Sequence, residues 1–286
     1  MTADLRVEPQ VTKSGATFYS GLTYAARSGF RPLLLDLYVP RGVAAAPLVV
    51  WIHGGAFLDG DRRYLPDTYP RNSVFDRPLD AGMAVATIDY RHSGEATFPA
   101  QLNDVGAAID FLREHAATFG IDPQRIGVWG ESAGGALAAL EGLTGGRVAA
   151  VVAWYALTEV RRPHADAVDS IETKLLGAPP SAVPELAAAA SAVAQVHAGA
   201  PPFLIVHGVA DATVAASQSE RLHELLIAAG ARSTYHPIAG ADHCFEGYDD
   251  IGGLIDESVA FLARTLSASR PEPESESAAA SSVDTR

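Results

Sequence analysis

The chain has 286 residues, of which 48% are hydrophobic and 19% are charged, as in an ordinary folded globular protein. Its 21 Lys and Arg against 34 Asp and Glu give a formal net charge of −13. A charge of this sign and size repels polyanions and anionic membrane surfaces, which argues against nucleic-acid and membrane partners. Cys244 is the single cysteine, so an intramolecular disulfide and a zinc site built from several cysteines are both excluded.

The two ends of the chain carry little structural signal. No segment approaches the roughly 18 consecutive apolar residues of a membrane helix, and residues 1–15 lack the basic start and apolar run of a signal peptide. A soluble, cytoplasmic protein is therefore expected. Residues 269–286 are rich in Ser, Ala, Glu and Pro with one Val, too little apolar surface to offset the entropy of ordering. We predict one domain over residues 1–268 and a disordered tail.

Strand and helix patterns alternate along that domain. Residues 17–26 and 33–39 flank a Ser-Gly turn signal and predict an antiparallel hairpin at a sheet edge. Short, nearly continuous apolar runs predict strands buried on both faces at residues 47–52, 84–88, 125–130, 148–154 and 203–207. Residues 233–238 are interpreted as the last strand. Helical spacing of apolar residues falls at residues 98–119, 134–143, 222–229 and 255–266. The pattern predicts an α/β fold with a mostly parallel sheet of about eight strands and helices on both faces.

Two segments depart from the alternation. Residues 158–202 are rich in Ala and Pro, with short helical stretches at 171–176 and 184–196 and no strand pattern. A long insertion after a central strand is where a lid or cap lies, although a peripheral helical excursion has the same composition. Residues 59–78 have the composition of a loop. We expect both segments to shape a substrate pocket.

The strongest chemical motif lies at residues 130–134, which read Gly-Glu-Ser-Ala-Gly. A strand pattern precedes this G-x-S-x-G motif and a helix pattern follows it, as a nucleophile elbow requires. Ser132 would stand on a strained turn, and the two glycines would remove side chains that otherwise collide there. Glu131 should point away from the serine and serve as a hydrogen-bonded structural carboxylate.

A second motif, His53-Gly54-Gly55-Ala56, follows a predicted strand. A Gly-rich turn at that place exposes backbone N–H groups that can bind a developing oxyanion. Taken alone it could be a simple tight turn. Beside the elbow, whose Ala133 amide would be a further donor, the oxyanion-hole interpretation is favoured.

A serine nucleophile needs a histidine base and an orienting carboxylate. Among nine histidines, His243 lies in a Gly- and Asp-bearing loop after the last predicted strand. Asp211 follows the strand at residues 203–207, so Ser132, Asp211 and His243 come in the chain order expected on such a sheet. Asp242 competes for the acid role, but neighbouring residues on an extended loop point apart.

Five stretches together resemble the α/β-hydrolase esterases related to hormone-sensitive lipase, more closely their small bacterial carboxylesterase branch. They are HGGAFLDG (53–60), DYRHSGEATFPAQ (89–101), GIDPQRIGVWGESAGGAL (120–137), PPFLIVHGVADATV (201–214) and GADHCF (240–245). The resemblance implies a Ser132 nucleophile, a His243 base and an Asp211 acid. It also implies an oxyanion hole from the Gly55, Ala56 and Ala133 amides, with Gly54 supporting the same loop. Ala56 stands where the family has a third glycine.

These motifs predict a serine carboxylesterase that hydrolyses short-chain acyl esters through an acyl-enzyme and needs no metal or cofactor. A small-molecule ester is the expected partner, and a homodimer is left open. The same triad would serve an acyltransferase, a cyclase, or an amide or formamide hydrolase. A catalytically silent ligand-binding protein on the same fold is the remaining alternative.

Overall fold

A single mixed sheet forms the centre of the molecule. The computed structural model describes residues 7–267, so the predicted tail, residues 269–286, lies outside the described residues. Over the described range the strands are β1 (Gln10–Val11), β2 (Thr17–Ala25), β3 (Leu33–Val39), β4 (Ala46–Ile52), β5 (Ala84–Ile88), β6 (Ile121–Glu131), β7 (Ala150–Trp154), β8 (Phe203–Gly208) and β9 (Ser233–Ile238).

The strands lie in the order β1-β2-β3-β5-β4-β6-β7-β8-β9. The pairs from β1 to β5 are antiparallel, and every pair from β5 through β4 to β9 is parallel. The predicted α/β architecture and its edge hairpin are confirmed, and all eight predicted strands are present. The ninth is β1, whose two residues are both exposed and too few to leave a hydrophobic pattern.

Helices cover both faces of the sheet. They are α1 (Ser73–Asp80), α2 (Ala100–Glu114), α3 (Ala116–Phe119), α4 (Ala133–Leu140), α5 (Ile171–Leu176), α6 (Pro184–Ala189), α7 (Ser217–Ala228) and α8 (Ile251–Ser267). A π-helical turn, Glu141–Gly145, continues α4. Within the described part of the chain, no helix has both the length and the apolar character needed to cross a membrane.

Two predicted segments differ from the structure. Residues 59–78, expected to be a loop, include the start of α1, which buries Val74, Phe75 and Leu79. Pro78 inside that helix made the segment look like a loop. The helix predicted over residues 184–196 ends with α6, because Ser191 adopts an extended backbone before a short 3₁₀ turn. A lid role for residues 158–202 stays a prediction.

An aromatic cluster packs beneath the strands that carry the site. Trp51 on β4, Trp129 on β6 and Trp154 on β7 are fully buried. Their rings meet edge to face, with centroids 5.4 Å apart for Trp51 and Trp129 and 5.0 Å apart for Trp129 and Trp154. Trp129 lies three residues before Ser132, so this packing supports the strand that ends at the motif serine.

Replacing the central ring of this cluster tests its contribution to stability. Trp129→Ala leaves a cavity between two other indoles, and we expect it to lower the free energy of unfolding by about 3–5 kcal/mol. Urea unfolding followed by circular dichroism measures the change. Ile227→Ala is the control, because that side chain is 51% exposed and its loss should change stability by less than about 0.5 kcal/mol. A Trp129→Ala loss below about 1 kcal/mol would contradict the prediction.

Candidate active site

Ser132 occupies a strained turn between β6 and α4. Its φ is 53° and its ψ is −119°, a combination that costs a non-glycine residue free energy and persists only where its surroundings enforce it. The Ser132 N–H donates to the Trp154 carbonyl at 2.9 Å, and the Ser132 carbonyl accepts the Ala136 N–H at 3.0 Å. These bonds to β7 and α4 hold the serine in that conformation.

The two glycines of the motif allow this turn to exist. A Cβ atom at Gly130 would lie 2.2 Å from the Gly134 carbonyl oxygen. One at Gly134 would lie 2.1 Å from the Ile52 carbonyl oxygen, at the end of β4. Both distances are far below any van der Waals contact. Only glycine at these positions lets the first turn of α4 approach the strand ends so closely.

The structure brings the three predicted triad side chains together. His243 Nε2 lies 3.1 Å from Ser132 Oγ, and His243 Nδ1 lies 2.7 Å from Asp211 Oδ2. An ionised carboxylate can only accept hydrogen bonds, so Nδ1 carries the proton and Nε2 is free to accept the serine hydroxyl proton. This is the geometry in which a histidine acts as a general base on a serine.

The surroundings of Asp211 keep it ionised. Burial opposes its charge, but hydrogen bonds from His207, His243 and the Val214 amide outweigh burial and hold the pKa of Asp211 well below its usual range. The Thr213 and Val214 N–H groups both donate to Oδ1 at 2.8 Å. His207, at the end of β8, is fully buried and its Nε2 lies 3.2 Å from Oδ2. Asp211 is therefore a fixed negative charge behind His243.

The competing carboxylate, Asp242, binds backbone instead of the imidazole. Its Oδ1 accepts the Ala212 N–H at 2.8 Å and the His243 N–H at 2.7 Å. These two bonds hold the pKa of Asp242 below its ordinary value. Asp242 thus joins the loop that carries Asp211 to the loop that carries His243.

Three of the four predicted oxyanion-hole residues line the pocket at Ser132. Gly55, Ala56 and Ala133 all face it, and none of their N–H groups donates to an acceptor among the described residues. Gly54 differs, because its N–H donates to Glu131 Oε1 at 2.6 Å. Gly54 therefore offers no free donor, and its bond to Glu131 anchors the loop that carries Gly55 and Ala56.

Glu131 is a functional candidate whose surroundings the sequence did not reveal. Its side chain is buried, and burial raises its pKa to about 7 although the Gly54 N–H, the Tyr155 hydroxyl and the charge of His243 favour the ionised form. In the sequence, the signal that points to Glu131 is its position next to Ser132. Its contact with Gly54 is a tertiary one, between residues 77 positions apart.

The pocket at Ser132 is small and mostly apolar. Its volume is about 250 Å³, and its apolar walls include Phe57, Leu157, Ile171 and Val214. Thr213 belongs both to this pocket and to an open groove of about 720 Å³ lined by polar and charged residues, among them Glu159, Arg161, Gln218 and Arg221. Within residues 7–267, no three His, Cys, Asp or Glu side chains are arranged to hold a metal ion.

The strain at Ser132 predicts an unusual order of stability. Ser132→Gly and Ser132→Ala both remove the hydroxyl, but only glycine accepts the positive φ without cost. The glycine variant should be more stable by about 1 kcal/mol, because relief of about 1–3 kcal/mol of strain exceeds glycine's entropic cost. Thermal unfolding measures the difference. Ala260→Gly inside α8 is the control, and it should lower the free energy of unfolding by about 1 kcal/mol. If Ser132→Gly is no more stable than Ser132→Ala, the backbone at Ser132 is not strained.

Comparisons with known proteins identify the family of the chain. A family model described as BD-FAE matches residues 35–226. Esterase LipQ of Mycobacterium tuberculosis H37Rv is 32% identical over 238 residues, which are 76% of this chain and 55% of LipQ. Esterase LipC of the same organism is 30% identical over 261 residues, or 84% of this chain and 64% of LipC. The chain thus spans less than two thirds of each of these relatives.

A solved structure extends the similarity to the whole fold. The truncated form of a carbohydrate esterase from gut microbiota has a TM-score of 0.79 and 28% identity to this chain, and the match covers 90% of this chain and 99% of that one. The family model spans more than half of the chain, including β4, the elbow and the loop of Asp211. The chain belongs to the BD-FAE family, among the α/β-hydrolase esterases that its motifs resemble.

Proposed function

We propose that this protein is a serine carboxylesterase that hydrolyses short-chain acyl esters through an acyl-enzyme. One observation carries the proposal: the hydrogen-bonded chain from Ser132 through His243 to Asp211 opens into a small apolar pocket beside three unbonded amides. The relatives LipQ and LipC, both named esterases, support it.

In the first half-reaction Ser132 Oγ attacks the ester carbonyl carbon while His243 Nε2 takes the hydroxyl proton. The carbonyl oxygen becomes an oxyanion, which the amides of Gly55, Ala56 and Ala133 stabilise by hydrogen bonds. The tetrahedral intermediate collapses when His243 returns the proton to the leaving alcohol. Asp211 stays ionised throughout and stabilises the imidazolium that forms between these two transfers.

Water completes the cycle at the acyl-enzyme. It loses a proton to His243 Nε2 and attacks the acyl carbon, and the same amides stabilise the second oxyanion. His243 then returns the proton to Ser132 Oγ, which releases the carboxylic acid. Every proton is returned, so the reaction balances without a cofactor or a metal ion.

We assign the two halves of the ester to the two cavities. The acyl group occupies the pocket bounded by Phe57, Leu157 and Ile171, whose volume of about 250 Å³ favours short chains. The leaving alcohol extends past Thr213 into the polar groove, where a hydroxyl-rich group finds hydrogen-bonding partners. The carbohydrate esterase among the structural neighbours supports a polar alcohol of this kind.

Removing the nucleophile tests the mechanism. Ser132→Ala should lower kcat on p-nitrophenyl acetate by at least about 10³-fold, because triad members act as a unit. A fluorophosphonate probe followed by peptide mapping should label Ser132 in the wild-type protein. Ser181→Ala, at an exposed position, is the control with unchanged kcat. Near-normal activity in Ser132→Ala, or a label on another serine, would refute the mechanism.

The same experiment separates the alternative functions. A labelled Ser132 with turnover only after addition of an alcohol or amine acceptor would indicate acyl transfer. Turnover of amides in preference to esters would indicate an amidase. A protein that binds neither probe nor ester would match a silent ligand-binding protein.

The pocket volume predicts the acyl preference. Across p-nitrophenyl esters from acetyl to dodecanoyl, kcat/KM should fall with chain length. Leu157→Ala enlarges the pocket and should raise the ratio of octanoate to acetate kcat/KM by about tenfold, since room for about two more buried methylenes at about 0.8 kcal/mol each corresponds to that factor. Val168→Ala, at a position 87% exposed in the adjoining segment 158–202, should leave the ratio unchanged. A wild-type preference for dodecanoate would contradict the assignment of the pocket.

A further inference from the structure

Glu131 is a buried carboxyl next to the nucleophile that the mechanism above leaves without a role. Its Oε1 accepts the Gly54 N–H at 2.6 Å, a short hydrogen bond. Gly54 immediately precedes Gly55 and Ala56, whose amides form part of the oxyanion hole in the proposed function. A displacement of Gly54 would therefore move both of those donors.

The loop packs directly on this carboxylate. A Cβ atom at Gly54 would lie 2.4 Å from Glu131 Oε1, so the backbone and the carboxylate are in contact with no side chain between them. On the other side of the loop, the Tyr90 hydroxyl lies 3.0 Å from the His53 carbonyl oxygen and 3.1 Å from the Gly54 carbonyl oxygen. Among the described contacts to the Gly54 peptide groups, the bond to Glu131 is the one that involves a charged group. Charge-assisted hydrogen bonds are about twice as strong as neutral ones.

We propose that ionised Glu131 is a positioning residue, which fixes the oxyanion donors of Gly55 and Ala56 by anchoring Gly54. This inference rests on the proposed function, because the positioned amides matter to a rate only if an oxyanion forms there. Oxyanion donors act through their preorganised geometry. A shift of about 1 Å in such a group costs about 10²-fold in rate.

The groups that face Glu131 come from four other segments. They are the Tyr64 and Tyr69 hydroxyls before α1, the Tyr90 hydroxyl after β5, the Tyr155 hydroxyl after β7, and the His243 imidazole and Cys244 thiol after β9. The tyrosines and the thiol have pKa values raised above their ordinary values, Cys244 to about 12, so they are neutral near pH 7. Within this set, His243 is the group that can carry a positive charge.

The ionisation of Glu131 should make activity depend on pH, in addition to the requirement for a neutral His243. Burial raises the pKa of Glu131 to about 7, so the carboxylate protonates just below neutral pH and its bond to Gly54 loses the charge. A protonated His243 also cannot act as base. The acid limb of the kcat/KM profile should therefore contain two ionisations, and its slope should exceed one in the pH range where Glu131 becomes protonated.

Stability should change in the opposite direction to activity. The pKa of Glu131 in the folded state lies above its ordinary value of 4.5. Between about pH 4.5 and pH 7 the folded state keeps a proton that the unfolded state has released, so stability falls as pH rises through this window. Above about pH 7 the carboxylate is charged in both states, and the folded state bears the full free-energy cost of burying that charge. An uncharged side chain at 131 removes that cost.

Two substitutions and a control test the proposal. Glu131→Gln keeps an oxygen that can accept the Gly54 N–H but cannot ionise. We expect its kcat at pH 8 to stay within about tenfold of wild type, its acid limb to show one ionisation, and its Tm to rise relative to wild type at pH 8 but not at pH 4.5. Glu131→Ala removes the anchor, and its kcat at pH 8 should fall about 10²-fold with KM within about threefold. Glu141→Gln, at another buried glutamate with a raised pKa, remote from the pocket, should leave kcat and the acid limb unchanged.

Hydrogen exchange measures how firmly Glu131 anchors the loop at residues 53–60, and it does not require catalytic turnover. The peptide spanning residues 53–60 should exchange at least tenfold faster in Glu131→Ala than in wild type at pH 8. Unchanged exchange and a kcat within twofold of wild type in Glu131→Ala, or two ionisations retained in Glu131→Gln, would overturn the proposal. Failure of the proposed function looks different: the wild-type protein would hydrolyse no ester and take no label, while exchange at residues 53–60 would still depend on Glu131.

Discussion

The close approach of the first turn of α4 to the end of β4, backbone against backbone, is the constraint on which the site depends. No side chain fits at Gly134, where a Cβ atom would lie 2.1 Å from the Ile52 carbonyl oxygen. Because the helix begins so near the sheet, the chain must turn sharply at Ser132, and the serine takes a φ of 53°. That turn places the Ala133 amide in the same pocket as the amides of Gly55 and Ala56. One packing contact thus sets both the turn at Ser132 and the position of the Ala133 amide.

Two carboxylates in the site have opposite electrostatic surroundings. Asp211 receives hydrogen bonds from two histidines and from backbone amides, and its pKa lies well below the ordinary value. Glu131 accepts its short bond from the Gly54 amide, and burial raises its pKa to about 7. Pairs of acids whose environments push their pKa values apart have different roles in a site. A carboxylate that is ionised at every working pH suits the group behind His243, whereas Glu131 can respond to pH.

The sequence predicted most of what periodicity and turn chemistry encode. The strands at residues 33–39, 84–88 and 233–238 have their predicted bounds, and the first two are mostly buried strands that leave a clear apolar pattern. Helix α1 was missed because Pro78 and the preceding prolines resemble a loop, while its burial of Phe75 is a tertiary contact. The motifs also pointed to Ser132, Asp211 and His243, whose side chains the structure brings within hydrogen-bond distance, with His243 between the other two. Hydrogen bonds between residues far apart in the chain, such as Gly54 to Glu131, have no local pattern and could not be predicted.

A carboxylate beneath the oxyanion loop also fits the charge changes of the proposed reaction. When His243 accepts the serine proton, it becomes an imidazolium on a side chain that is only 19% exposed, and an unpaired charge in such a place is costly. Asp211 lies 2.7 Å from its Nδ1, and the charges of Glu131 and His243 favour one another. The imidazolium exists only between the two proton transfers of each half-reaction. In the proposed reaction, a negative charge at Glu131 therefore favours the imidazolium of the tetrahedral stage over the neutral imidazole of the resting enzyme, which is the kind of difference that acts on kcat.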